Sequence, residues 1–108
     1  MNSATIANAS GQIEALSSAL DNAYWEASTI DRKDLIYSII TLLNAEIIEI
    51  SKLSIQDHDL PYEPISSDFS TLKTKLNTLN QQIDSAVIRH STCKELQRLI
   101  PSISSMLL

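Results

Sequence analysis

The stretch IANASGQIEALSSALDNAYWEASTI, residues 6–30, carries Ile6, Ala9, Ile13, Leu16, Leu20, Ala23, Ala27 and Ile30 at alternating spacings of three and four. An α-helix brings positions three and four apart onto one face, so these residues form a continuous apolar seam. A heptad seam of this length marks a helix packed lengthwise against others. Ala9, Ala23 and Ala27 are small enough to let a neighbour approach closely, which suits a bundle better than a free two-stranded coil. Gly11 lies off the seam and costs only about 1 kcal/mol relative to Ala.

Working outward, Ser28-Thr29-Ile30-Asp31 breaks the first helix. Asp31 is the expected cap of the second helix, with Asp34 in its first turn and Ile30 and Leu35 in staple positions. That helix is expected from about Arg32 to Gln56, with Ile36, Ile40, Leu43, Ile47 and Ile50 as its seam. Leu35, Leu42, Ile48 and Ile55 fall outside the seam, so the helix is apolar over more than one stripe. Residues 56–65 contain Asp57-His58-Asp59, Pro61 and Pro64 and read as a loop, because proline blocks helix continuation. Ser66 or Ser67, followed by Asp68, is the expected start of a third helix, whose seam runs Phe69, Leu72, Leu76, Leu79, Ile83, Ala86 and His90. Thr92-Cys93-Lys94-Glu95 matches a capping box for a fourth helix, lined by Leu96, Leu99, Ile100, Ile103 and Met106, with Pro101 expected to bend or end it near Ile100. Short junctions between the first and last helix pairs predict one all-α domain over residues 1–108, an antiparallel up-down four-helix bundle.

Composition narrows the classes of function. The 108 residues include 29 Leu and Ile but one Gly, three Pro and one Cys, which excludes disulfide scaffolds, Gly-rich phosphate loops and a disordered chain. The N-terminal residues 1–5 have no basic residue or sustained apolar run, and the apolar window Leu35–Ile50 is interrupted by Ser38, Thr41, Asn44, Glu46 and Glu49. Neither a secretory signal nor a membrane span is expected, and a cytoplasmic location follows as the default, in keeping with the single Cys93.

Catalysis finds no support in the motifs: there are two histidines, no HExxH spacing, no nucleophile elbow and no Glu three residues before a histidine. An enzyme, a cofactor and a metal are therefore not expected. Asp57-His58-Asp59 with Glu63 offers ligand atoms, but adjacent residues in a turn point apart and Asp-rich turns are common without an ion. His90 and Cys93 bring an imidazole near a thiol, with no third group to orient them.

Charge separates along the chain. Residues 1–31 hold Glu14, Asp21, Glu26 and Asp31 with no Lys or Arg; residues 69–108 hold five basic residues and two acids. An acidic first half disfavours nucleic acid and favours a basic protein partner, and the basic helices lack the interleaved aromatics of a nucleic-acid surface. Trp25 lies off the first seam beside Tyr24 and Glu26, where it is either covered by Pro61 and Tyr62 if the long loop folds back or left as an anchor for a partner; Trp25, Tyr24, Glu26 and Tyr62 are the expected partner-binding residues. Leu35, Leu42, Ile48 and Ile55 are the expected contacts of a homodimer formed through the second helix. The resulting expectation is a small acidic, non-enzymatic interaction module of the adaptor, secretion-chaperone or antitoxin/immunity-inhibitor kind. The alternative is a bundle that holds an apolar small molecule in its core, oriented by Tyr37, Tyr62 or His90.

Overall fold

The computed structural model describes residues 4–66, 69, 71–83 and 89–106. Within them lie four α-helices and no strand: α1 (Ile6–Glu26), α2 (Ile30–Ser51), α3 (Leu72–Gln81) and α4 (His90–Ser104), with a 3-10 turn at Ile55–Asp59. α1 packs on α2 and α4, α2 on α3, and α3 on α4. Each helix thus borders its neighbours in sequence, and the last closes on the first, as an up-down bundle requires. The particle measures 42 × 25 × 20 Å.

The seam of α1 is buried along its length, joined by Ala19; Ile30, its expected last member, is instead exposed as the first residue of α2. Thr5 caps α1 by accepting from the Asn8 amide at 3.2 Å. Thr29, rather than Asp31, caps α2 through the Arg32 amide, also at 3.2 Å. A threonine at this position is already extended and its Oγ1 reaches the third helical amide, which leaves Asp31 in the first turn to complement the helix dipole. The cap's shift also removes the expected Ile30–Leu35 staple.

α2 differs from its expected form in phase and length. Its buried line is Ile36, Ile39, Leu43, Glu46 and Ile50, a heptad seam that includes a carboxylate. Ile40 and Ile47, the expected seam members, flank that line half-buried on the α1 side, and Leu35 and Leu42 flank it on the other. The helix ends at Ser51 rather than Gln56, and Ser54 then caps the 3-10 turn through the Gln56 amide.

The connection that follows runs back along the start of α1. Ile6 N–H donates to Leu60 O at 2.9 Å and Tyr62 N–H donates to Ala4 O at 2.8 Å, around an antiparallel bridge between Thr5 and Pro61. Proline suits this edge because its missing N–H is not needed there.

Phe69, Leu72, Leu76, Leu79 and Ile83 are buried as expected, while Ala86, Ser67 and Asp68 lie outside the described residues. Ser66 does not cap α3: its hydroxyl is buried without a hydrogen bond. His90 does not close α3 either; it is exposed and opens α4. The expected Thr92–Glu95 box is replaced as well. The helix starts two residues before Thr92, whose hydroxyl turns to Glu26, while Glu95 pairs with Arg98. Pro101 lies inside α4 on its exposed side, and the helix continues to Ser104 because Leu99, Ile100 and Ile103 remain anchored in the core.

Candidate functional site

Trp25 lies at the C-terminal end of α1, 74% exposed. Its ring meets Tyr24 edge-to-face, with centroids 5.3 Å apart at 88°. Tyr24 in turn stands 6.3 Å from Tyr37 of α2. Lys33, one turn into α2, donates to the Tyr24 carbonyl at 2.6 Å, and its ammonium sits 4.6 Å from the Tyr24 ring centroid and 5.7 Å from that of Trp25. The cation is attracted to both ring faces and bonded to the last turn of α1, where carbonyls lack helical partners. Two aromatic rings of α1 are therefore organised around one ammonium of α2 at the tight α1–α2 turn, with Tyr37 beside the Tyr24 ring.

The outward face of α2 continues this surface. Ile30, Asp34, Tyr37, Thr41, Asn44, Ile48 and Ser51 are all exposed and repeat at spacings of three and four, a second heptad line opposite the buried one. Ile30, Tyr37 and Ile48 expose 76%, 62% and 56% of their surface. Along this face Ser17 Oγ donates to Asn44 Oδ1 at 3.3 Å, which ties α1 to the middle of the stripe. The four expected dimer contacts do not share a stripe. Leu35 and Leu42 are half-buried against the core, and Ile48 lies about 120–140° around the helix from them at 3.6 residues per turn. Ile55 lies beyond α2 in the 3-10 turn, 86% exposed.

The expected partner-binding residues also divide. Trp25 and Tyr24 belong to the aromatic corner. Tyr62 does not: it is buried at the other end of α1, where its hydroxyl donates to Glu46 Oε2 at 2.5 Å. Glu46 is fully buried and accepts two further bonds, from Ile65 N–H and Ser66 N–H, each at 2.8 Å. Burial, followed by the hydrogen bond and the charge of Glu46, pushes the Tyr62 phenol far above its ordinary value, so it remains a donor. Glu26 is likewise engaged within the fold. Its Oε1 accepts from Arg89 N–H at 2.9 Å and its Oε2 from Thr92 Oγ1 at 2.8 Å, at the N-terminus of α4. Comparison with protein-family models, with curated proteins and with solved structures gives no match.

Of the residues considered for other chemistry, Asp57 and Asp59 are exposed in the 3-10 turn and His58 is half-buried between them. Among the described residues no three His, Cys, Asp or Glu side chains are grouped to hold a metal ion. Cys93 is a buried cysteine in the first turn of α4, while His90 is exposed. Tyr37, Tyr62 and His90 do not converge on a common interior space: the first and last are on the surface and the second is committed to Glu46. No helix among the described residues is long and apolar enough to cross a membrane. The sequence singled out Trp25 correctly as off-seam, but Lys33 and Tyr37 were not linked to it. The signal was available: Tyr37 lies four residues after Lys33, and both reach back over the three-residue turn that ends α1.

Proposed function

We propose that the chain is a small, non-enzymatic protein-interaction module of the adaptor, secretion-chaperone or antitoxin/immunity-inhibitor kind, docking through the Trp25 corner and the outward face of α2. The observation that carries the reading is an indole that is three-quarters exposed yet oriented by Tyr24 and Lys33. A solvated tryptophan contributes little to folding, whereas one held in a fixed pose loses little entropy when a partner covers it. Tryptophan and tyrosine are the residues most enriched at interface hot spots.

Exposed Asp21, one turn before Trp25 on α1, and exposed Asp34, one turn before Tyr37 on α2, set a carboxylate on the same side of each helix as its aromatic residue. The partner that fits is a protein with an apolar pocket and a basic rim, steered by that charge. A reducing, cytoplasmic setting belongs to the same proposal, since a chain with one cysteine forms no disulfide within itself.

The test is affinity capture from native lysate by the wild-type chain, Trp25→Ala and a control, Lys73→Ala, on α3. Trp25→Ala is expected to weaken capture of the wild-type partner by a factor of about 10 or more, as for a hot-spot truncation, while Lys73→Ala leaves it unchanged. Equal capture by all three contradicts the proposal.

A further inference from the structure

Residues 60–65 read Leu-Pro-Tyr-Glu-Pro-Ile, in which two residue–proline pairs, Leu60-Pro61 and Glu63-Pro64, stand three positions apart. Proline fixes φ at about −65° and pushes the residue before it into extended backbone. Both pairs therefore favour the polyproline II helix, which repeats every three residues. Leu60 stands in that region, at φ −73° and ψ 155°. Burial follows the same period: Leu60, Pro61, Glu63 and Pro64 are exposed, whereas Tyr62, on the third edge, is buried. Ile65, next on that edge, is 41% exposed and gives its amide to Glu46.

The fold holds the segment in this form. Ile6 N–H donates to Leu60 O and Tyr62 N–H to Ala4 O on one side, while Glu46 accepts from the Tyr62 hydroxyl and the Ile65 and Ser66 amides. We propose that residues 60–64 are a docking strip for a partner domain with an aromatic-lined, basic-rimmed groove that recognises polyproline II. The strip lies against the start of α1, at the far end of that helix from Trp25, and does not depend on the docking proposed there.

Three features select this occupant. Two exposed edges that carry prolines at i and i+3 are the PxxP surface that an aromatic-lined groove takes up. Addition of a partner strand suits the segment poorly, because Pro61 and Pro64 have no N–H to donate. The bonds to α1 and Glu46 order the backbone before a partner arrives, so little freedom is lost on binding. Charge then chooses the rim. Residues 53–66 carry Asp57, Asp59 and Glu63, all exposed, and no Lys or Arg; Glu63 belongs to the second residue–proline pair, so the groove that faces it is basic.

Titration of the full chain into purified SH3 and WW domains, one set with basic-rimmed and one with acidic-rimmed grooves, tests the proposal. Basic-rimmed members are expected to bind in the micromolar range. Pro64→Ala, at an exposed position, should weaken that binding by a factor of about 10 or more with unchanged helical circular dichroism. Glu63→Lys keeps both prolines and should move the preference to the acidic-rimmed set.

Binding by neither set, binding undisturbed by Pro64→Ala, or a wild-type preference for acidic rims overturns the docking strip. A Glu63→Lys chain that keeps the wild-type preference overturns it as well. Trp25→Ala should bind the panel as the wild type does, so the two surfaces are read separately; loss of panel binding in that variant would place the site elsewhere and contradict this inference.

Discussion

Glu26, the last residue of α1, caps α4 through Thr92: one carboxylate oxygen accepts from the Thr92 hydroxyl at 2.8 Å and the other from the Arg89 amide at 2.9 Å. The N-cap of α4 is Arg89, which has no side-chain acceptor of its own, so the orphan amide at this end is satisfied from across the bundle. A negative charge at a helix N-terminus also complements the dipole. Glu26→Ala is therefore expected to lower stability by about 1 kcal/mol, within the 0.5–2 kcal/mol range of a lost cap. A double-mutant cycle with Thr92→Val, read by urea denaturation, should show the two losses to be non-additive. Additive losses would mean that the carboxylate and hydroxyl act independently.

Glu46 is the more demanding case. Replacing it with Ala leaves the Tyr62 hydroxyl and two backbone amides without their acceptor at a fully buried point of α2. Leaving several buried donors unpaired predicts a loss of roughly 3 kcal/mol or more, against about 1 kcal/mol for Tyr62→Phe, which removes one of the three bonds. Hydrogen exchange at the Ile65 and Ser66 amides should accelerate strongly in Glu46→Ala and only slightly in Tyr62→Phe. Unchanged protection in Glu46→Ala would show that the loop is held by something else.

The same pair sets an alkaline limit. Tyr62 has a higher pKa folded than unfolded, so the folded chain retains the proton after the unfolded chain begins to lose it. Its contribution is fully present below the unfolded value of about 10 and falls above it by up to about 1.4 kcal/mol per pH unit. Denaturation of the wild type and Tyr62→Phe between pH 8 and 11 should show the difference in stability constant at the lower end and shrinking at the upper, a trend expected on the principle just stated. A difference independent of pH would contradict a buried, hydrogen-bonded phenol.

Gly11 is an exposed position in the middle of α1 with open space where a Cβ would stand. Gly11→Ala should stabilise the chain by about 0.5–1 kcal/mol, the difference in helix propensity. Thermal melting checks this, and a lower melting temperature would indicate a contact that the exposed side of α1 does not show.

The helical architecture and the α1 seam were legible because apolar residues repeat without interruption from Ile6 to Ala27. The phase of α2 was not. Its true seam passes through Glu46, and an apolar pattern rejects a carboxylate whose three donors come from residues 16 to 20 positions away. The same limit hid the capping of α4, since Glu26 lies 66 residues before Thr92 and a closer Glu95 suggested a local box. Glu26, expected at a partner surface, and Glu46, expected only as a polar interruption of an apolar window, are both tied within the fold. Trp25 was legible as an off-seam aromatic, whereas Tyr62 could be placed only once the loop was seen to run along the start of α1.

Because the chain contains a single tryptophan, the proposed docking of a partner on the exposed Trp25 corner has a direct optical test. Acrylamide quenching of its fluorescence would be measured on the free protein and on the complex with a captured partner. Full accessibility when free and strong shielding in the complex are predicted. An indole already shielded in the free chain, or one equally quenched in the complex, would contradict the account.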